Sequence, residues 1–193
     1  GTVYAGQAAV GDRLMLTPQG IEVRVRAIHA QNRDAKSGLA GERCALNIAG
    51  ADLTRESVSR GDWIVGETAH APSDRFDARV RVLPSEGRPL RHWTPVHLHL
   101  GAEDIGARVA TLEGRGIAVG ETGLAQIVLD KPIGALYGDR FILRDQSARR
   151  TVGGGMVIDP FSPARGRAKP ERLAVVRGLE QPESAAALDV VLE

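Results

Sequence analysis

Apolar and polar positions alternate with period two in several windows of the chain. In IEVRVRAIHA (residues 21–30), Ile21, Val23, Val25 and Ala27 face one way, and Glu22, Arg24 and Arg26 the other. FDARVRVL (residues 76–83) sets Ala78, Val80 and Val82 against Asp77, Arg79 and Arg81, and VHLHL (residues 96–100) sets Val96, Leu98 and Leu100 against His97 and His99. This is the pattern of half-buried strands. GLAQIVLD (residues 123–130) and DRFILRD (residues 139–145) also read as strands. Turn chemistry separates them: VGD at 10–12, TPQG at 17–20, AGE at 40–42, RGD at 60–62, SEGRP at 85–89 and YGD at 137–139. Short strands without a long amphipathic helix before residue 165 predict an all-β protein of barrels or sandwiches.

Segment AHAPSD (residues 69–74) is small, polar and Pro-containing, and predicts a boundary between two β units, over residues 1–68 and 75–160. PFSPARGRAKPER (residues 160–172) is Pro- and Arg-rich without alternation and reads as a basic linker. ERLAVVRGLE (residues 171–180) carries Leu173, Val176 and Leu179 at helical spacing, and PESAAALDVVLE (residues 182–193) reads as a helix capped by Ser184. Residues 161–193 are therefore expected to be a linker and the start of a further helical domain.

The chain has 193 residues, 42% apolar and 25% charged, a composition able to build real cores. Lys+Arg 25 against Asp+Glu 24 leaves a net charge of +1, so a nucleic-acid surface must be a local patch. Residues 144–172 supply one: Arg144, Arg149, Arg150, Arg165, Arg167, Lys169 and Arg172 against Asp145, Asp159 and Glu171. The single cysteine, Cys44, excludes an internal disulfide, and its apolar surroundings predict a core position. No apolar run is long enough for a membrane helix and the chain opens directly on GTVYAG, so a soluble, cytoplasmic protein is expected.

Catalytic chemistry is sparse. There is no phosphate loop ending in Lys-Ser/Thr and no GxSxG elbow. VGGGMV (residues 152–157) reads as a strand packed closely against neighbouring backbone. His97 and His99 share a strand face and, with His92, form the best metal-like cluster, but the expectation is no metal and histidines that face solvent or RNA.

GTVYAGQAAVGDRL (residues 1–14), followed in order by VRAIHAQNR (residues 25–33), AGERCALNIAG (residues 40–50) and RGDWI (residues 60–64), resembles the second-domain barrel of translational GTPases. KPIGALYGDRFILRDQSARRTVGGG (residues 131–155) resembles the last strands of their third-domain barrel. The strings RAIHAQN, CALNIAG, RGDW, HWTPVHLH and LRDQSAR are closer to the selenocysteine-specific elongation factor family than to elongation factor Tu. The resemblance covers about residues 1–160, with the first strand of the first barrel cut.

The resemblance implies the second and third domains of a factor that carries selenocysteinyl-tRNA to the ribosome at a recoded stop codon. It implies no enzymatic activity here: GTP and its Mg would belong to a missing first domain, and the messenger-RNA hairpin to the winged-helix region that follows. The implied partners are selenocysteinyl-tRNA, the ribosome and that hairpin, with no membrane. At the aminoacyl end and terminal adenosine, the matching residues are His29, Gln31, Asn32 and Arg43. His29 stands where elongation factor Tu has a Glu that binds the ribose, and Arg43 where it has an Asn near the amino acid. A selenol is far more acidic than a hydroxyl, so a fixed cation would favour selenocysteine over its neutral serine precursor, by on the order of a few kcal/mol in a dry pocket. The residue-level alternative for Arg43 is a strand-end salt bridge to Glu42 or Asp62.

On the acceptor and T stems, the resemblance implies phosphate contacts from Arg88, Arg91, Lys131, Ser147, Arg149 and Arg150. Thr94, Pro95 and Val96 replace the Arg-Pro-Gln of elongation factor Tu, so two polar contacts are missing there. Two other functions stay open: the same barrels of another translational GTPase, of the elongation factor Tu or initiator-tRNA carrier type, or a β-barrel interaction module without RNA. The third-domain cations discriminate, because the RNA reading weakens if Arg88, Lys131 and Arg149 lie on opposite faces.

Overall fold

The computed structural model describes residues 1–180, and the chain divides into two compact units, Gly1–His70 and Ala71 onward. In the first, β1 (Gln7–Ala9) pairs with β5 (Ser37–Leu39) as a two-stranded ribbon. The longest strand, β3 (Ile21–Ala30), pairs with β2 (Arg13–Thr17), β4 (Arg33–Ala35) and β6 (Cys44–Ala49), and β2 pairs in turn with β7 (Trp63–Val65). Val25, Ile28 and Cys44 are the buried centre of this unit, with Val3, Leu14, Leu46 and Ile48 against them. Each apolar side chain so buried contributes about 1.5–3 kcal/mol. The expected turns at VGD, TPQG, AGE and RGD each place their glycine at positive φ.

The second unit is a closed six-stranded barrel. Around it run β10 (Thr94–Leu100), β11 (Glu103–Thr111), β13 (Thr122–Gly134), β8 (Pro72–Val82), β15 (Thr151–Asp159) and β14 (Arg140–Arg144), all antiparallel. A short ribbon of β9 (Leu90–Arg91) and β12 (Gly116–Ile117) lies beside them. Inward residues of every barrel strand build one core, in which the Phe76 and Phe141 rings lie 5.5 Å apart. The triglycine of β15 is dictated by this closure. A Cβ on Gly154 would sit 2.6 Å from the Phe141 carbonyl oxygen, and Cβ atoms on Gly153 and Gly155 would collide with the carbonyl oxygens of Arg81 and Arg79.

Two sequence expectations change here. The segment placed between the units is not wholly a linker, because Pro72, Ser73 and Asp74 already belong to β8. The basic segment after residue 160 does not leave the barrel either. It folds back, and α1 (Pro170–Leu179) sets Val176, Leu173 and Leu179 against Leu112, Leu124 and Ile158 on the barrel's outside. The helix thus finds its apolar partner within this unit rather than in a further domain. The helix read over residues 182–193 lies outside the described residues.

This covering reverses the reading of Asp77 as a solvent-facing strand residue. Asp77 and its cross-strand partner Gln126 are fully buried beneath the returning segment. Gln126 donates to Asp77 Oδ1 (3.0 Å), Ser162 Oγ (3.2 Å) and the Pro163 carbonyl (3.1 Å). Arg172 donates to Asp77 Oδ2 through Nε (3.0 Å) and Nη2 (2.5 Å), and through Nη2 to Asp159 Oδ2 (2.5 Å). Burial pushes the Asp77 carboxyl above its ordinary value, against the pull of Arg172 and Gln126. Burial also works against the Arg172 guanidinium, but its hydrogen bonds to Asp159 and Asp77 outweigh it and hold the charge. Two further pairs, Arg79–Glu180 and Arg177–Glu113, fasten the helix.

Candidate nucleic-acid interface

In the first unit, β3 and β6 place four candidate residues at one end of their ladder. The register opposes His29 to Ala45 and Ala30 to Cys44. Because cross-strand partners share a face and side chains alternate, His29, Ala45 and Arg43 lie on the same exposed face. Arg43 is one diagonal step from His29. Gln31 and Asn32 form the two-residue turn between β3 and β4, with φ of 51° and 61°. Positive φ at both positions is the type I′ geometry that matches strand twist. Asn tolerates it well; for Gln it costs on the order of 1 kcal/mol.

The electrostatics separate His29 from Arg43. His29 Nε2 lies 3.0 Å from Asp34 Oδ1 on β4, so the imidazole already has an anionic partner. Arg43 has none among the described residues. The two carboxylates that could have taken it are engaged by backbone and amide groups: Glu42 Oε2 accepts from the Leu39 amide (2.7 Å), and Asp62 Oδ2 from the Ser59 amide (2.5 Å) and from Gln19 Nε2 (2.9 Å). The salt bridge offered as the plain explanation of Arg43 therefore does not form. Its guanidinium is exposed rather than enclosed within this unit.

In the second unit, strand register assigns each candidate to an end of the barrel. Thr122 opposite Arg81, and Arg144 opposite Thr151, mark one end; Gly134 opposite Pro72, and Leu100 opposite Glu103, mark the other. The first end carries the loop with Arg88, the β9 residue Arg91, and the loop with Ser147, Arg149 and Arg150. Arg150 Nη2 lies 3.4 Å from Oε2 of the buried Glu86, which ties that loop to the one bearing Arg88. Asp145 organises it from within, its Oδ1 accepting from the Arg149 (2.9 Å) and Arg150 (3.1 Å) amides and its Oδ2 from the Ser147 hydroxyl (2.9 Å). The hydrogen bond with the Arg150 backbone, helped by the others, holds the Asp145 carboxyl below its ordinary value. Ser147 is exposed but spends its hydroxyl on this carboxylate, whereas the Arg88 and Arg149 side chains are exposed and without a carboxylate partner among the described residues.

Lys131 does not join them. It lies toward the opposite end, with Nζ 2.5 Å from Oε1 of the buried Glu103. Arg172 is likewise withdrawn, so the basic excess of residues 144–172 is smaller at the surface than in the sequence. The histidines also divide: His92 Nδ1 meets Thr111 Oγ1 at 3.3 Å, while His97 and His99 share Asp104 at 3.1 and 3.8 Å. No group of three possible metal ligands forms among the described residues. The triglycine lies flat between strands, with adjacent carbonyl oxygens where a phosphate would have to sit, so this segment does not fit a nucleoside triphosphate. The buried carboxylates Glu86 and Glu103 escaped the sequence reading. So did the grouping of Trp93 with Arg108 and Arg167, although Arg167 is part of the basic patch legible in the sequence.

Among the described residues, no helix is long and apolar enough to cross a membrane. A family model described as selenocysteine-specific elongation factor, beta-barrel domain, matches residues 77–164. The chain is 41% identical over 194 residues to the selenocysteine-specific elongation factor of Escherichia coli (strain K12), a match covering 100% of this chain and 30% of that protein. It is 35% identical over 185 residues to that of Haemophilus influenzae, covering 96% and 29%. The chain thus spans less than a third of the length of these relatives. The crystal structure of translation elongation factor SelB from Methanococcus maripaludis, apo form, shares the fold with a TM-score of 0.70 at 21% identity, over 85% of this chain and 39% of that one.

Proposed function

The chain carries the β-barrel domain of the selenocysteine-specific elongation factor family, and from that premise we propose that it holds selenocysteinyl-tRNA during translation elongation. The observation that carries this reading is Arg43, an exposed cation beside the Gln31–Asn32 turn whose neighbouring carboxylates are all otherwise occupied. Arg43 attracts the selenolate, and a neutral seryl side chain gains nothing from it. Gln31 and Asn32 offer amide donors and acceptors to the terminal adenosine, and His29, held by Asp34, offers a ring nitrogen to its ribose.

Arg88, Arg91, Arg149 and Arg150 take phosphates of the acceptor and T stems, with Ser147 shaping their loop through Asp145. Lys131 is at most a separate contact toward the other end. Phosphate contacts position the RNA without reading bases, so this part of the affinity is salt-dependent and indifferent to the amino acid. GTP and Mg, the ribosome and the messenger-RNA hairpin fall to other parts of a longer cytoplasmic protein, and this chain performs no catalysis.

The test compares selenocysteinyl-tRNA with seryl-tRNA of the same body on the full-length factor carrying this chain. Arg43→Asn is expected to lose about tenfold or more of the preference for selenocysteine, with little change for serine. Arg88→Gln and Arg149→Gln are expected to weaken both tRNAs alike and to lower the salt slope by about one each. Equal binding of both tRNAs by wild type and Arg43→Asn overturns the role of Arg43. Unchanged salt slopes overturn the stem contacts.

A further inference from the structure

Trp93 stands just before β10 with a φ of 67° and remains 43% exposed. A bulky residue rarely adopts that conformation, and such strain persists only where its surroundings impose it, often at ligand clamps. Here the Trp93 amide donates to the Val109 carbonyl (2.7 Å) and the His92 amide to that of Arg115 (3.0 Å), which fixes the turn and presents the indole. The Arg108 and Arg167 guanidinium carbons lie 6.0 and 5.5 Å from the indole centroid. His92 lies 6.1 Å from it, with ring planes inclined by 31°. Neither arginine forms an ion pair among the described residues. Arg167 Nη1 is buried and has no hydrogen-bond partner.

We propose that Trp93, Arg108 and Arg167 form a subsite for an unpaired nucleobase and its adjoining phosphate. The indole stacks on the base, and the guanidiniums, of which that of Arg108 is exposed, take the phosphate. An aromatic platform of this kind suits a base free of its stack, because every base offers a π-face and paired bases hide theirs. A planar guanidinium fork suits phosphate. Cation–π contact with the indole holds both guanidiniums in place beforehand. The subsite begins two residues after Arg91, at the barrel end that carries the stem-binding arginines. It differs from them in demanding an unpaired base, and it does not depend on the role of Arg43.

The chain has two tryptophans, so Trp63→Phe leaves Trp93 as the sole indole reporter. This variant is titrated with an oligouridylate, with an RNA hairpin bearing an unpaired loop, and with a blunt RNA duplex. Quenching of Trp93 emission by the oligouridylate, the hairpin or both, but not by the duplex, is expected; which of the two acts identifies a flexible strand or a folded loop as the source. Arg108→Gln and Arg167→Gln are each expected to weaken that binding by several-fold in this titration; by anisotropy of a fluorescein-labelled oligouridylate, Trp93→Ala is expected to weaken it by about tenfold, with Trp93→Phe recovering most of it at unchanged Tm. No emission change with any RNA overturns the proposal. So does equal quenching by the duplex, or undiminished affinity in both arginine variants. Loss of quenching with tRNA stem binding intact would condemn this subsite alone, and the converse the stem contacts alone.

Discussion

Replacing Arg172 by Met tests what holds the returning segment to the barrel. Arg172 sits between a fully buried carboxylate, Asp77, and a nearly buried one, Asp159; the side chains of Arg172 and Asp159 are 15% and 13% exposed. Its removal deletes three charge-assisted hydrogen bonds and leaves two like charges in one site. At an effective dielectric near 20, unit charges about 4 Å apart interact by about 4 kcal/mol. Recovered desolvation of the arginine offsets part of that, while the stranded carboxylates add to it. The expected loss is about 3–5 kcal/mol, the usual cost of breaking a buried pair from one side. For a unit of this size, that lowers Tm by roughly 15 °C.

The pH dependence follows from the direction of the Asp77 shift. Its folded-state pKa is already raised by burial, so the folded state binds its proton more tightly than the unfolded chain does. Stability tied to this group is therefore present at low pH and lost as pH rises through the folded-state value. Without Arg172 that value rises further, so Arg172→Met should regain more stability than wild type does on acidification from neutral pH. Asp77→Asn in the same background removes the worst stranded charge and should recover most of the loss. Chemical denaturation at neutral and at acidic pH compares wild type with both variants. A loss under about 1 kcal/mol at pH 7, with no gain on acidification, would refute the argument that this network latches α1.

Gly154→Ala should cost about 2–3 kcal/mol in denaturant unfolding, because its methyl group meets the Phe141 carbonyl. Gly66→Ala should be neutral or stabilising by up to about 1 kcal/mol, since Gly66 has φ of −61° and open space around it. Gln31→Gly should raise the Tm of the first unit by relieving a strain of about 1 kcal/mol, and a lower Tm would show that the Gln side chain stabilises the turn. Asp145 has a lowered folded-state pKa, so the order it gives the 145–150 loop should be present above its ordinary pKa and lost as pH falls through the folded value. Protection of the Arg149 and Arg150 amides against exchange, relative to the free-peptide rate, should fall over that range, and in Asp145→Ala at neutral pH. Unchanged protection would remove Asp145 as the organiser.

Several of the strands, most of the turns and the all-β class were legible in the residue pattern alone. Alternation in residues 21–30, 76–83 and 96–100 is a local property, since a strand with one buried face writes its period into the chain. The glycines of VGD, TPQG, AGE and RGD are likewise local, because the turn geometry is fixed within a few residues. Residues 152–157 could be read as a close-packed strand for the same reason. The candidate residues of the first unit also came together, because His29, Gln31 and Asn32 are neighbours in sequence and Arg43 enters through an adjacent strand.

Which charges are spent is set by packing between segments far apart in the chain. Asp77 and Arg172 are 95 positions apart, and their meeting depends on barrel register and on α1 folding back, neither of which leaves a periodic mark. Lys131 and Arg149 look equivalent as cations in a sequence. Register sends one to a buried glutamate near one end of the barrel and leaves the other exposed at the opposite end. That Arg43 makes no salt bridge to Glu42 or Asp62 was visible only once those carboxylates were seen to be occupied by other groups. Trp93 acquired its two guanidiniums from a strand and from the returning segment. Burial and pairing are decided by what arrives from far along the chain, and a local pattern carries no information about arrivals.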